Sequence, residues 1–220
     1  TLESAAATSM SGAVSGQEVP VVLLHGALRS SWGLLPTAVL LRRYGLRVRG
    51  FDYPTRRGTL EQHAARLEQF VHAWLGAPPQ VLGFVTHSMG ALVVRAYLAA
   101  HADLRTRHRV VMLSPPNQGS QLAVRQQDGV VFRWVYGDAA RELVPQRVRA
   151  LPAAPDNADV LVLAGGRGDP RGYNPLLDGD DDGVVAVGEM GMPGVDPVVV
   201  GGLHATMQWR PAVLARAGAT

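Results

Sequence analysis

The residues best placed to do chemistry lie in the segment Phe84-Val85-Thr86-His87-Ser88-Met89-Gly90. An apolar run, Val81 to Val85, leads into it as a buried strand would, and a helical stretch, Ala91 to Ala100, leads out. A sharp strand-to-helix turn lifts the serine hydroxyl clear of the backbone. It also sets the N–H of the next residue, Met89, at a helix N-terminus, where developing negative charge is stabilised. That combination suits a serine nucleophile attacking an acyl carbon. Small residues are favoured two places either side of the serine, because neighbouring backbone crowds the turn. Gly90 meets that demand; Thr86 stands where the usual glycine would be.

An activated serine needs a base, an acid to orient it, and two donors for the oxyanion. A serine on such a turn is the nucleophile elbow of the α/β-hydrolases, in which an Asp or Glu and then a His follow it along the chain. Three histidines lie downstream of Ser88. His101 ends the elbow helix, too near in sequence to fold back, and His108 immediately precedes the next strand. His204 follows the last apolar run, where a loop at the C-terminal end of a strand should sit, and is the expected base.

For the acid, Asp178-Gly179-Asp180-Asp181-Asp182-Gly183-Val184-Val185 offers four candidates. Asp182 is preferred, since Gly-Val-Val after it holds a carboxylate in a tight turn beside an apolar anchor. Asp181 is next, and Asp169 stands behind both. The other aspartates read as a solvated loop. Oxygens at this density suit calcium, but the spacing does not match an EF-hand loop, and no metal is inferred. The second oxyanion donor is expected from Leu24-His25-Gly26-Ala27-Leu28, with Ala27 N–H beside Met89 N–H. His25 is read as shaping that loop, His63 and His72 as structural or surface positions on a helix, and His87 as taking no part in proton transfer. Leu28, Phe132 and Trp134 are candidate substrate contacts.

Composition narrows the chemistry. With 220 residues, 47% hydrophobic and 18% charged, the chain can bury a substantial core. It has no cysteine, which excludes a thiol nucleophile, disulfides and Cys-ligated zinc. All 21 basic residues are arginine, so Schiff-base chemistry and a phosphate-loop lysine are excluded as well. Neither a dinucleotide fingerprint nor a zinc-ligand spacing occurs, so no cofactor is inferred. The arginines are scattered in pairs without a groove-reading motif, which argues against nucleic acid as a partner. No apolar run approaches the ~18 residues of a membrane span.

Thr1 to Gln17 reads as a flexible segment without the charged start and apolar centre of a signal peptide. From residue 18 onward short β-like runs alternate with helical stretches, which predicts one α/β domain over 18–220. Strands are expected at Val19–Leu24, Leu46–Tyr53, Val81–Val85, Arg109–Leu113, Asp159–Ala164 and Pro197–Val200. Helices are expected at Trp32–Tyr44, Thr59–Leu75, after Ser88, and at Ala205–Ala217 around Pro211. Thr59 with Gln62 is a capping box, and Leu60, Ala64, Leu67, Phe70, Val71 and Trp74 line one helix face. Near-continuous apolar strands predict a mostly parallel sheet of about six strands with helices on both faces. The turn-rich, then aromatic region 114–159 is either a lid over the site or helix packed on the body.

Four segments in this order resemble the compact, alkaline-lipase-like branch of the bacterial lipases and esterases of the α/β-hydrolase superfamily. They are Val22-Leu23-Leu24-His25-Gly26, Thr86-His87-Ser88-Met89-Gly90, Pro115-Pro116-Asn117-Gln118-Gly119-Ser120 and Asp181-Asp182-Gly183-Val184-Val185. The resemblance runs from about Pro20 to the end of the expected C-terminal helix. It implies the α/β-hydrolase fold, a triad of Ser88, Asp182 and His204, and an oxyanion hole of Ala27 and Met89. It also implies hydrolysis of a small-molecule or lipid carboxylic ester, with interfacial contact in the lipid case. The same triad would serve a thioesterase or amidase, and a decayed site would leave a binding protein.

Overall fold

The computed structural model describes residues 18–102, 105–126, 129, 136–210, 213 and 216. Six strands form one sheet: β1 (Pro20–Leu24), β2 (Arg47–Phe51), β3 (Val81–His87), β4 (Arg107–Leu113), β5 (Ala158–Ala164) and β6 (Val198–Val199). Their order is β2-β1-β3-β4-β5-β6, and every neighbouring pair is parallel. From β1 the chain steps to one side for β2 and to the other for β3. The sheet therefore reverses direction of growth between β1 and β3, where α/β sheets open a crevice at their strand C-termini.

Alternate side chains of each strand serve opposite faces. Val22 and Leu24 of β1 join Phe84, Val110, Met112 and Val162 in one core; Val21 and Leu23 join Val85, Val111 and Leu163 in another. The first core is closed by α2 (Leu60–Leu75) and α3 (Gly90–Ala100), the second by α1 (Leu35–Arg43) and a 3₁₀ turn, His204–Trp209. Both faces are covered, which is why the strands are apolar almost throughout. Helix α2 starts on the Thr59–Gln62 capping box and ends at Gly76, whose φ of 75° only a residue without a side chain adopts readily. No described helix is long and apolar enough to cross a membrane.

The Trp32–Tyr44 helix is a 3₁₀ turn (Ser31–Leu34) running into α1, with Pro36 in its first turn. Of the expected Ala205–Ala217 helix, the first part is a 3₁₀ turn, His204–Trp209, and beyond Pro211 the described residues Val213 and Arg216 are helical. Arg210 leaves the turn in an extended conformation, as the residue before Pro211 must. The described parts of 114–159 pack on the body. Arg95 of α3 is buried and donates to the carbonyls of Asn117, Leu151 and Pro152. Glu142 accepts from Leu60 N–H and from Arg147, fixing the start of α2 to this segment. The expected contacts Phe132 and Trp134, and the segment Thr1 to Gln17, lie outside the described residues.

His108 is not ahead of its strand but inside β4, fully buried and stacked on Phe84 with a ring separation of 6.0 Å. Neither of its ring nitrogens has a partner among the described residues. Burial, helped by the nearby His101, pushes its pKa down from 6.5 to about 4. The folded state thus holds this proton more weakly than the unfolded chain. The associated stability is complete above pH 6.5 and is lost as pH falls towards 4. The unfolding free energy, followed by urea denaturation, is expected to fall over that interval. In His108→Leu the slope should be shallower, by up to ~1.4 kcal/mol per pH unit. An unchanged slope would contradict this assignment.

Candidate active site

At the C-terminal ends of β1 and β3 two backbones nearly touch. A Cβ on Gly26 would lie 2.9 Å from Ser88 Cβ and 3.1 Å from His87 Nδ1. One on Gly90 would lie 2.8 Å from the carbonyl oxygens of both Leu24 and His25. These two glycines let the loop after β1 cross directly over the turn that carries Ser88. Ser88 itself has φ 53°, a left-handed conformation that a serine adopts only under constraint. The turn is tied to the next strand by Ser88 N–H, which donates to the Leu113 carbonyl at 2.9 Å. Thr86 sits where the elbow usually has glycine. It is fully buried, and its hydroxyl donates across to the Val111 carbonyl of β4.

The N–H groups of Ala27 and Met89 find no acceptor among the described residues. Backbone donors at a crowded turn are ordinarily paired, so two free ones beside a serine form a small electropositive recess. Met89 opens α3, so the helix dipole adds to it.

His204 and Asp182 come from the loops after β6 and β5. His204 Nδ1 lies 2.7 Å from Asp182 Oδ2, with the carboxylate 1% exposed. The backbones are coupled too, His204 N–H donating to the Asp182 carbonyl at 2.8 Å. Asp182 Oδ1 accepts from the N–H of Val184 and of Val185, which is what the Gly-Val-Val turn supplies. Burial alone would push the Asp182 carboxyl up. The His204 ring, the Val185 N–H and a hydroxyl bond from Ser114 outweigh it and hold the carboxyl below its usual value. An ionised carboxylate accepts only, so His204 Nδ1 carries the hydrogen of this bond and Nε2 is the ring nitrogen left for another partner.

His87 joins the two halves. Its Nε2 lies 2.9 Å from the His204 carbonyl oxygen, which can only accept, and the two rings are 4.7 Å apart. The side chain beside Ser88 thus donates to the His204 backbone. Burial and the neighbouring His204 push the His87 pKa down to about 3, so the ring is neutral at any working pH.

The other histidines are occupied elsewhere. His25 is buried, with Nδ1 on the Gly26 carbonyl and Nε2 3.3 Å from Asp52, so neither nitrogen is left for Ser88. His101 stacks on Tyr97 and pairs with Glu68 at the far end of α3. His63 is buried against Tyr53. The acidic loop departs from the reading of solvated aspartates. Asp181 is fully buried and its carboxylate takes the N–H groups of Tyr173, Asn174 and Gly183. Asp180 takes those of Arg167 and Gly168. Short turns leave N–H groups unpaired, and these carboxylates satisfy them. Asp169 pairs with Arg167 and Arg171. Among the described residues no three His, Cys, Asp or Glu side chains could hold a metal ion.

The family described as "Domain of unknown function (DUF7379)" matches residues 3–155. The chain belongs to this family. The matched span includes the loop after β1 and the Ser88 turn but ends before Asp182 and His204. No curated protein matches the sequence. Among solved structures, the mature form of lipase BlEst2 from Bacillus licheniformis is similar over 87% of this chain and 86% of its own, at 19% identity and a TM-score of 0.69. The metagenomic carboxyl esterase MGS0156 is similar over 93% and 74%, at 19% identity and a TM-score of 0.65. A bromoperoxidase from Bacillus anthracis is similar over 92% and 89%, at 16% identity and a TM-score of 0.55. The fold is that of the α/β-hydrolases.

Ser114 is the residue of this network that sequence reasoning missed. It follows β4 with φ 47°, is fully buried and accepts from Gly165 N–H at 3.2 Å, and its hydroxyl helps to hold the Asp182 carboxyl down. Its only signal was a serine closing the strand next to the nucleophile strand. Ser114→Ala should raise the Asp182 carboxyl towards its usual value and cost about 1–2 kcal/mol of stability by leaving buried partners unpaired. Urea denaturation measures this, and an unmoved midpoint would remove Ser114 from the network.

Proposed function

We propose that the protein is a serine hydrolase that cleaves carboxylic esters through an acyl-enzyme intermediate. The observation that carries this reading is the buried Asp182–His204 pair, joined through His87 to a serine in a left-handed turn. Ser88 Oγ attacks the ester carbonyl while His204 Nε2 takes its proton. Asp182 keeps Nδ1 protonated and stabilises the imidazolium that forms. The carbonyl oxygen becomes an oxyanion received by the N–H groups of Ala27 and Met89. His204 then protonates the leaving alcohol. In the second half a water, deprotonated by His204, attacks the acyl carbon, and Ser88 leaves with its proton restored.

The lipase and esterase named above are compatible with this reaction. The bromoperoxidase shows that the fold alone does not select it. Large apolar side chains stay exposed, Leu28, Val184 and Leu203 on loops and Trp32 on the 3₁₀ turn before α1. They support contact with an ester of a lipid or with its surface.

Hydrolysis of p-nitrophenyl esters from acetate to palmitate tests the reading. Wild-type protein should turn over at least part of the series. Ser88→Ala and His204→Ala should lower kcat by about 10³-fold or more, and Asp182→Asn by about 10²–10⁴-fold. Full turnover in Ser88→Ala would sink the proposal.

A further inference from the structure

Helix α1 and the turn before it are apolar on both sides. Leu34, Thr37, Ala38 and Leu41 are buried against the sheet. The outer side carries Trp32, Leu35 and Val39, and Tyr44 caps the helix; all four are exposed, Trp32 by 78%. Between Trp32 and Leu41 the one polar residue is Thr37, and it lies on the buried side. A surface helix ordinarily turns polar side chains to water, and a contiguous apolar patch left outward marks a contact surface. This one is bolted to the turn that carries His204. The Thr37 hydroxyl donates to the Gln208 carbonyl at 2.9 Å, and Trp209 Nε1 donates to the Gly33 carbonyl at 2.8 Å. Trp209, itself exposed, is thereby held against the residue that follows Trp32.

Charge says what the patch meets. No acidic residue occurs between Glu18 and Asp52, and none follows Asp196, so α1 and the His204–Trp209 turn come from two acid-free stretches. Arg42 and Arg43 stand three and four residues after Val39, on the outer side of the last helical turn, and both are exposed. Arg42 donates to the Val48 carbonyl, and among the described residues neither arginine makes an ion pair. Asp52 is the acid that touches this segment; it accepts from the N–H and hydroxyl of Ser31 and faces His25. A two-fold pairing of copies would set one basic, acid-free patch against another, which like charge opposes. Exposed Trp and Tyr beside arginine suit the boundary between lipid tails and anionic headgroups.

We propose that this face seats the protein on an anionic lipid bilayer. Trp32, Leu35 and Val39 enter the headgroup boundary. Arg42 and Arg43 keep their stems on the apolar surface and their charge among lipid phosphates. Seating by this face brings the His204 turn to the esters of that bilayer, a consequence that rests on the ester-hydrolase reading; the binding itself does not.

The test mixes the full chain with vesicles of phosphatidylcholine alone, or of phosphatidylcholine with phosphatidylglycerol, and separates bound protein by sedimentation. At low salt the mixed vesicles should bind about tenfold more tightly or better, and sodium chloride should reduce the difference. Trp32→Ala should weaken binding by about tenfold and Arg43→Gln by about fivefold, each with an unchanged circular dichroism spectrum. Arg66→Gln, on α2 across the sheet, should bind as wild type. Ser88→Ala should also bind as wild type, and vesicle binding by a chain that hydrolyses no ester would support the docking while removing its consequence. Equal affinity for the two vesicles, or affinity unmoved by both Trp32→Ala and Arg43→Gln, would overturn the proposal and leave the hydrolase reading to its own test. A lipid-free dimer that Val39→Asp dissociates would assign the face to a second copy instead. Binding of polyglutamate as tight as that of the mixed vesicles would assign it to an acidic protein.

Discussion

Two strand ends, those of β1 and β3, approach so closely that neither Gly26 nor Gly90 has room for a methyl group. Everything at this edge of the sheet depends on that approach. The loop after β1 can pass over Ser88 only because Gly26 has no side chain. The elbow can turn sharply into α3 only because Gly90 lets the helix start against the carbonyls of Leu24 and His25. The parallel pairing of β1 with β3, Leu24 opposite Thr86, brings both loops to the same height. The fold thus sets the relation of Ser88 to the loop after β1 through backbone alone.

The second half of the site is electrostatic. A carboxylate that is 1% exposed would normally resist ionisation. Asp182 stays ionised because two backbone N–H groups, a serine hydroxyl and an imidazole N–H all point at it. His204 is thereby oriented with one nitrogen committed and the other available. His87 carries this orientation back to β3, beside Ser88. Its depressed pKa keeps it a neutral donor rather than a competing base. Two loops far apart in sequence are in this way referenced to one turn.

Much of this was legible in the sequence because it rests on local rules. Alternating apolar runs and helical stretches yield six parallel strands, and Thr59 with Gln62 yields the start of α2. Ser88, Asp182 and His204 could be singled out because glycine and apolar spacing mark each turn. Other features depend on three-dimensional partners and were not legible. Asp181 stands second to Asp182 as the acid on sequence alone, but its carboxylate serves the N–H groups of Tyr173 and Asn174. Ser114 and Arg95 act on residues 68 and more than 50 positions away, which no local pattern records. The C-terminal stretch has helical composition, but the residue before Pro211 is driven out of the helical region, so that a 3₁₀ turn precedes the proline and the helical residues Val213 and Arg216 follow it.

The central claim is that Ser88 is a nucleophile activated by His204, and covalent labelling tests it most directly. Folded wild-type protein is treated with a fluorophosphonate and its intact mass recorded, then the site is mapped after cleavage at arginine. The peptide Leu67–Arg95 contains a single serine, so assignment is unambiguous. The account predicts one adduct per chain on Ser88, absent in Ser88→Ala and strongly slowed in His204→Ala. No adduct in folded wild-type protein, or an equal rate of labelling in His204→Ala, would contradict it.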